Sequence, residues 1–130
     1  MERTILVIDD DIDLVEIIRL TLENEGFAVI DAQNGARGLE LAREKTPDII
    51  LLDVMMGEID EGFQVAYELR KGEDTADIPI LMLTAVTDQT GFGFDPDKDA
   101  DFLPVDEFLE KPLSPRKLVD LVRKHLPPSA

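Results

Sequence analysis

The sequence predicts an α/β fold built on one five-stranded parallel sheet, and three observations support this. Short apolar runs recur along the chain, and the clearest, Ile49 to Leu52, shows no alternation with polar residues. Strands buried on both faces, as in a parallel sheet, have this pattern. Stretches with helical spacing separate the runs, and right-handed crossovers then place helices on both faces. We therefore predict a single doubly wound sheet with strand order 2-1-3-4-5.

Capping and turn residues set the boundaries in the first half. Asp11 is a plausible N-cap of the first helix, and Gly26 is well placed to end it. Asn34 and Gly35 turn the chain out of the second strand, and Pro47 stops the second helix. The predicted elements are a strand over 3–9, a helix over 12–24, a strand over 27–30 and a helix over 35–45.

The second half continues the alternation but contains one irregular stretch. Residues 87–105 hold two Gly, two Pro, five Asp and three Phe with no sustained period. We predict an irregular or shortened fourth helix there, followed by a long loop. The other predicted elements are a strand over 48–53, a helix over 63–71 after a loop from Gly57 to Gly62, a strand over 79–83 followed by Thr84, a strand over 106–110, and a last helix capped by Ser114.

Length and composition limit the function classes. The 130 residues suit one domain, with a core over 3–126 and a short tail over 127–130. The chain has no cysteine, no signal peptide and no apolar run of membrane-spanning length, so a cytoplasmic protein is expected. The net charge of −16 makes direct binding to nucleic acid or to a membrane unexpected.

Acidic residues end two of the predicted strands. Asp9 and Asp10 end the first strand, and Asp53 ends the third. In open α/β sheets the carboxyl ends of the strands form the ligand-binding edge, so we expect these three carboxylates to meet. They would repel one another unless a cation lay between them, and carboxylate oxygens suit Mg²⁺. An aspartate masked by a metal ion can attack phosphorus and form an aspartyl phosphate.

Two more polar residues end strands at the same edge. Thr84 follows the fourth strand, and Lys111 follows the fifth. A hydroxyl and an ammonium group can both donate to the oxygens of a phosphoryl group. Together with the acids, they predict that Asp53 is a phosphoacceptor. The single histidine, His125, ends the last helix and is given no chemistry.

Four pieces of the sequence resemble the response-regulator receiver domain of bacterial two-component signalling. Each piece alone is weak, but all four occur in the order of the family and near its spacing, over about residues 3–126. The resemblance implies a flavodoxin-like fold and a signalling role, with no enzyme activity beyond self-phosphorylation and autodephosphorylation. The four pieces are residues 5–11, 50–56, 83–85 and 106–112.

The resemblance also implies a metal site and a phosphodonor. Asp53 would accept the phosphoryl group from a histidine kinase or a phosphotransfer protein. Asp10 would bind Mg²⁺, for which Mn²⁺ can substitute, and Asp9 would act through water or as a second ligand. Asp53 itself and the backbone carbonyl of Met55 would complete the protein ligands.

Further implied roles concern the switch. Thr84 would hydrogen-bond the phosphoryl group, and Lys111 would pair with it. Phe108 would move inward as Thr84 is drawn to the phosphate, which changes a partner-binding surface. The bond from Lys111 to Pro112 is expected to be cis.

The sequence departs from the family at several positions. Gly57 stands where a receiver usually has proline, and the loop before Gly62 is one residue longer. The stretch between Thr84 and Lys111 is also several residues longer, so an altered output surface is expected. Met55 and Val86 flank the path of attacking water, and both are apolar, which predicts slow hydrolysis of the aspartyl phosphate.

Alternative interpretations remain open at this point. The chain could be a pseudo-receiver that binds partners without phosphate control, or a small Mg²⁺-dependent phosphohydrolase. The stretch from Asp95 to Asp106 resembles an EF-hand loop, but Ala100 stands at the required glycine, so an acidic solvated loop is preferred. No effector domain follows Ala130 in this sequence, so we expect either a stand-alone receiver or one taken from a longer protein.

Overall fold

The structure, a computed structural model, describes residues 3–53, 61–85, 107–111 and 114–126; for 61–63, 84–85 and 107–111 the description covers the backbone. It contains five strands and four helices in these ranges. The strands are β1 (Thr4–Ile8), β2 (Ala28–Ala32), β3 (Ile49–Asp53), β4 (Ile80–Ala85) and β5 (Glu107–Lys111). The helices are α1 (Ile12–Glu23), α2 (Gly35–Lys45), α3 (Glu61–Lys71) and α4 (Pro115–His125).

The strands form one parallel sheet in the order β2-β1-β3-β4-β5, which confirms the predicted fold class and strand order. The boundaries differ from the predicted ones by one or two residues. β2 extends to Ala32 because its pairing with β1 continues to the last residue of that strand, Ile8. α3 begins at Glu61, so Gly62 lies in its first turn, where backbone N–H groups lack helical partners in any case.

Two apolar clusters lie on opposite faces of the sheet. Leu6 and Ile8 of β1 contact the cluster formed by α2 and α3, whereas Ile5 and Val7 belong to the cluster formed by α1 and α4. Every residue of β3 is buried, as the unbroken apolar run predicts. The two faces together hold the strand ends in fixed positions.

Side-chain caps start three of the helices. The carboxylate of Asp11 accepts the N–H of Leu14 at 3.2 Å, and the amide oxygen of Asn34 accepts the N–H of Arg37 at 2.8 Å. Ser114 caps α4, as predicted. Gly26, just after α1, has a φ of 94°, a conformation that glycine adopts without a steric penalty.

Several predictions fall on residues outside the described ranges. They concern the irregular fourth helix and loop over 87–105, the EF-hand-like stretch, Gly57, Val86 and the Lys111–Pro112 bond. Within the described ranges, no helix has both the length and the apolar character needed to cross a membrane.

Candidate functional site

The three predicted acids lie together at the carboxyl edge of the sheet. The register pairs Ile8 of β1 with Leu52 of β3. The residues that follow them, Asp9 and Asp53, therefore lie side by side. One carboxylate oxygen from each of Asp9, Asp10 and Asp53 lies within 4.8 Å of the other two. The structure therefore brings together the acids that the sequence indicated as a metal site.

The three acids differ in their exposure. Asp9 has 0% of its surface exposed and Asp53 has 3%, whereas Asp10 is exposed. Buried carboxylates are stable as anions only when they are hydrogen-bonded, paired with charge or bound to metal. A cluster with two buried members and one exposed member has the donor set and the open side that a hydrated cation requires.

Backbone hydrogen bonds fix the position of Asp9. Its N–H donates to the carbonyl oxygen of Ala32 at 3.0 Å, which continues the pairing of β1 with β2. Its carboxylate oxygen Oδ1 accepts the N–H of Asp11 at 2.9 Å. Asp11 thus has two roles, because its N–H binds Asp9 and its carboxylate caps α1. These two hydrogen bonds fix the turn from β1 into α1.

Helix N-termini surround this edge. In a parallel sheet each connecting helix begins at the carboxyl ends of the strands, and the capped ends of α1, α2 and α4 start there. The N-terminus of a helix carries a partial positive charge that favours anions. This edge therefore suits an anionic group together with a cation.

The backbone register places the other predicted residues in relation to Asp53. Asp53 pairs with Leu83, and Thr84 is the next residue of β4. Thr84 pairs with Glu110, and Lys111 pairs with Ala85 at the end of β5. Thr84 and Lys111, the two residues predicted to donate hydrogen bonds to the phosphoryl group, thus lie at the ends of their strands, at the same edge as the acids.

The remaining site predictions are placed less fully. Phe108 pairs with Met82 along the edge strand β5, three residues before Lys111. Met55, the predicted carbonyl ligand, lies outside the described residues. One residue beside the site had no predicted role: Gly38, which packs against Ile8. Its signal in the sequence is a glycine within a predicted helix, which usually has a packing reason.

Comparisons with known proteins agree with this fold. Residues 5–123 match the family described as "Response regulator receiver domain". The DNA-binding dual master transcriptional regulator RpaA of Synechocystis sp. is 40% identical over 120 residues, which are 92% of this chain and 47% of that protein. The chain thus spans about half the length of this relative.

Two solved structures show the same architecture. Chemotaxis response regulator CheY4 of Vibrio cholerae has a TM-score of 0.83 at 26% identity, covering 97% of this chain and 100% of that one. A response regulator protein from Burkholderia multivorans has a TM-score of 0.74 at 35% identity, covering 100% and 99%. By family match, identity and fold, the chain belongs to the receiver domains of two-component response regulators.

Proposed function

We propose that the chain is a phosphorylation-controlled switch in which Asp53 accepts a phosphoryl group from a histidine kinase or a phosphotransfer protein. The observation that carries the proposal is the cluster of Asp9, Asp10 and Asp53 at the carboxyl edge, with Asp53 at the end of the central strand. All 130 residues are proposed to form one receiver domain, with its core over 3–126.

The proposed step is a transfer between nucleophiles. A carboxylate oxygen of Asp53 attacks phosphorus, and the new O–P bond forms as the P–N bond of a phosphohistidine breaks. The electron pair of that bond leaves with the imidazole nitrogen, which takes up a proton. Because Asp53 is fixed in a strand buried on both faces, its carboxylate needs little reorganisation before attack.

The acids fit a magnesium ion as cofactor. Asp10 and Asp53 are proposed as direct ligands, Asp9 as a ligand or a water-mediated one, and the carbonyl of Met55 as a further ligand. Mg²⁺ is bound in proteins by few carboxylates and keeps several waters, which agrees with one exposed acid beside two buried ones. When bound, the ion would neutralise the carboxylates and the incoming phosphoryl oxygens.

Residues of β4 and β5 are proposed to bind the phosphoryl group once it is attached to Asp53. Thr84 would donate its hydroxyl hydrogen to a phosphoryl oxygen, and Lys111 would pair with another. The movement of Thr84 would draw Phe108 inward and alter the surface that a partner binds. The role is signalling rather than turnover of a substrate.

The net charge argues against direct DNA binding by this chain. The Synechocystis relative is named as a DNA-binding regulator, but a chain with a charge of −16 repels phosphates. We propose that these 130 residues do not contact DNA themselves. A gel-shift titration at low salt with the chain alone should show no complex.

Mass spectrometry tests the central assignment. Incubation with acetyl phosphate and Mg²⁺ should add one phosphoryl mass to the chain, and Asp53→Asn should abolish the addition. Glu44→Gln, an exposed acid of α2, is a matched control that should label like the unaltered chain. Labelling that persists in Asp53→Asn refutes the assignment.

A further inference from the structure

Gly38 lies one turn into α2 and has no room for a side chain. A Cβ atom on Gly38 would lie 2.5 Å from Cδ1, 2.8 Å from Cγ1 and 2.9 Å from Cγ2 of Ile8. Rotation about χ2 of Ile8 can move Cδ1 away, but it leaves the contacts of Cγ1 and Cγ2, because both γ carbons are attached directly to the Cβ of Ile8. The helix approaches β1 this closely only because residue 38 is glycine.

Ile8 connects this contact to the acidic site. It is fully buried and directly precedes Asp9. Its register partner Leu52 is buried in the same cluster and directly precedes Asp53. Because the peptide unit is planar and stiff, a displacement of Ile8 moves the first atoms of Asp9 with it.

We propose that Gly38 is a positioning residue for the acidic site. Because residue 38 is glycine, α2 packs closely against Ile8. This packing fixes the end of β1 at the position from which Asp9 and Asp53 can both bind one Mg²⁺ ion. The inference rests on the proposed function, because it assumes that these acids bind Mg²⁺. The ion requires nearly ideal octahedral geometry, so a displacement of a few tenths of an ångström at one ligand lowers its affinity.

The test compares Mg²⁺ binding by the unaltered chain and by Gly38→Ala. Binding is followed by the backbone amide resonances in ¹H–¹⁵N spectra during a titration with MgCl₂. Gly38→Ala should weaken Mg²⁺ binding about tenfold, the lower end of the range for residues that orient metal ligands. Without Mg²⁺, the amide resonances of Asp9 and Asp53 should also shift in this variant.

Gly72 offers a matched control. A Cβ atom on Gly72 would lie 2.6 Å from Oγ1 of Thr75, so Gly72→Ala also crowds a neighbour. Gly72 follows the end of α3, at the amino edge of the sheet and away from the acids. Gly72→Ala should lose stability while keeping the Mg²⁺ affinity of the unaltered chain.

A second pair of variants tests the route through Ile8. Ile8→Ala removes all three carbons that the new Cβ atom would meet. In the Ile8→Ala background, Gly38→Ala should therefore leave Mg²⁺ affinity unchanged. Alanine favours helix more than glycine does, so α2 itself tolerates the substitution.

The outcomes separate the inference from the function. Unchanged affinity in Gly38→Ala, or an equal loss in Gly72→Ala, overturns the positioning role and leaves the proposed function intact. If Gly38→Ala does not fold, the Ile8→Ala pair decides: equal affinities support the role, and a tenfold loss in the double variant overturns it. An unaltered chain that does not bind Mg²⁺ overturns both proposals.

Discussion

Asp48 and Thr4 join the amino ends of the neighbouring strands β1 and β3 to each other. The N–H of Thr4 donates to Oδ2 of Asp48 at 2.7 Å, and the N–H of Asp48 donates to the carbonyl oxygen of Thr4 at 2.8 Å. This pair starts the register in which Ile5 lies beside Ile49. About 17 Å further along β1, at 3.3 Å per residue, the same register delivers Asp9 beside Asp53.

We expect Asp48→Ala to lower the free energy of unfolding by about 1–2 kcal/mol, because a half-buried N–H then loses a charged acceptor. Asp48→Asn keeps an oxygen acceptor and should lose less. Urea unfolding measures both. The apolar pattern still fixes the register, since a slip by one residue would turn the strand's side chains to the wrong faces. Mg²⁺ affinity should therefore survive, and its loss in Asp48→Ala would contradict this reasoning.

The acidic cluster should reduce stability when no cation is present. Asp53→Asn removes one of three carboxylates whose oxygens lie within 4.8 Å. We expect it to raise the free energy of unfolding in EDTA by about 1–3 kcal/mol, somewhat less than the ~4 kcal/mol of two unit charges at 4 Å and an effective dielectric constant of 20. The measurement is urea unfolding in EDTA and in excess Mg²⁺.

In excess Mg²⁺, the unaltered chain should instead be more stable than Asp53→Asn. A ligand stabilises the folded state according to its affinity, so the gain from Mg²⁺ should be larger for the unaltered chain than for Asp53→Asn. Glu44→Gln, which alters an exposed acid near the far end of α2, is the control and should change little in either condition. Equal gains from Mg²⁺ in all three proteins would exclude Asp53 from the metal site.

Thr46 ends α2 in a left-handed conformation, with φ 39° and ψ 66°. The left-handed region destabilises the folded state by about 1–2 kcal/mol for a residue with a Cβ atom. Glycine avoids this cost, but its greater freedom in the unfolded chain lowers stability by about 0.4–1 kcal/mol. We expect Thr46→Gly to raise the free energy of unfolding by about 0.5–1 kcal/mol on these terms. Thr46→Ala keeps a Cβ atom and should bring no gain; thermal unfolding compares the two.

The lifetime of the phosphorylated form follows from the sequence. Met55 and Val86 cannot orient an attacking water by hydrogen bonding. The aspartyl phosphate should therefore persist for many minutes, and Met55→Asn should shorten its lifetime. Loss of the phosphoryl mass after removal of acetyl phosphate measures the rate. A half-life of seconds in the unaltered chain would contradict the assignment of these two positions.

Local patterns predicted most of the fold and the acids, because each depends on neighbours in sequence. Unbroken apolar runs gave the strands, and the acid that ends β3 indicated the site. The contact between Asp48 and Thr4 joins residues 44 apart, and no local pattern specifies that distance. The contact of Gly38 with Ile8 likewise depends on how closely α2 approaches β1, which only the folded packing determines.

Arg19 shows a further contact of this kind, at the outer edge of the sheet. β2 is an edge strand, and Ala28 and Ala32 make backbone bonds to β1, so the alternate residue Val29 presents its carbonyl outward. Arg19 Nη1 donates to that carbonyl oxygen at 2.8 Å, and Nη2 donates to Oδ1 of Asp31 at 2.8 Å. The guanidinium therefore covers an edge that could otherwise pair with another chain.

We expect Arg19→Ala to self-associate at concentrations at which the unaltered chain does not, because it uncovers the edge of β2. Sedimentation velocity over a concentration series measures the change. Arg37→Ala is the control, since it removes the same charge from an exposed arginine whose ion-pair partners, Glu40 and Glu44, lie on its own helix. Equal association in both variants would assign the effect to charge, and none in either would show that other features protect this edge.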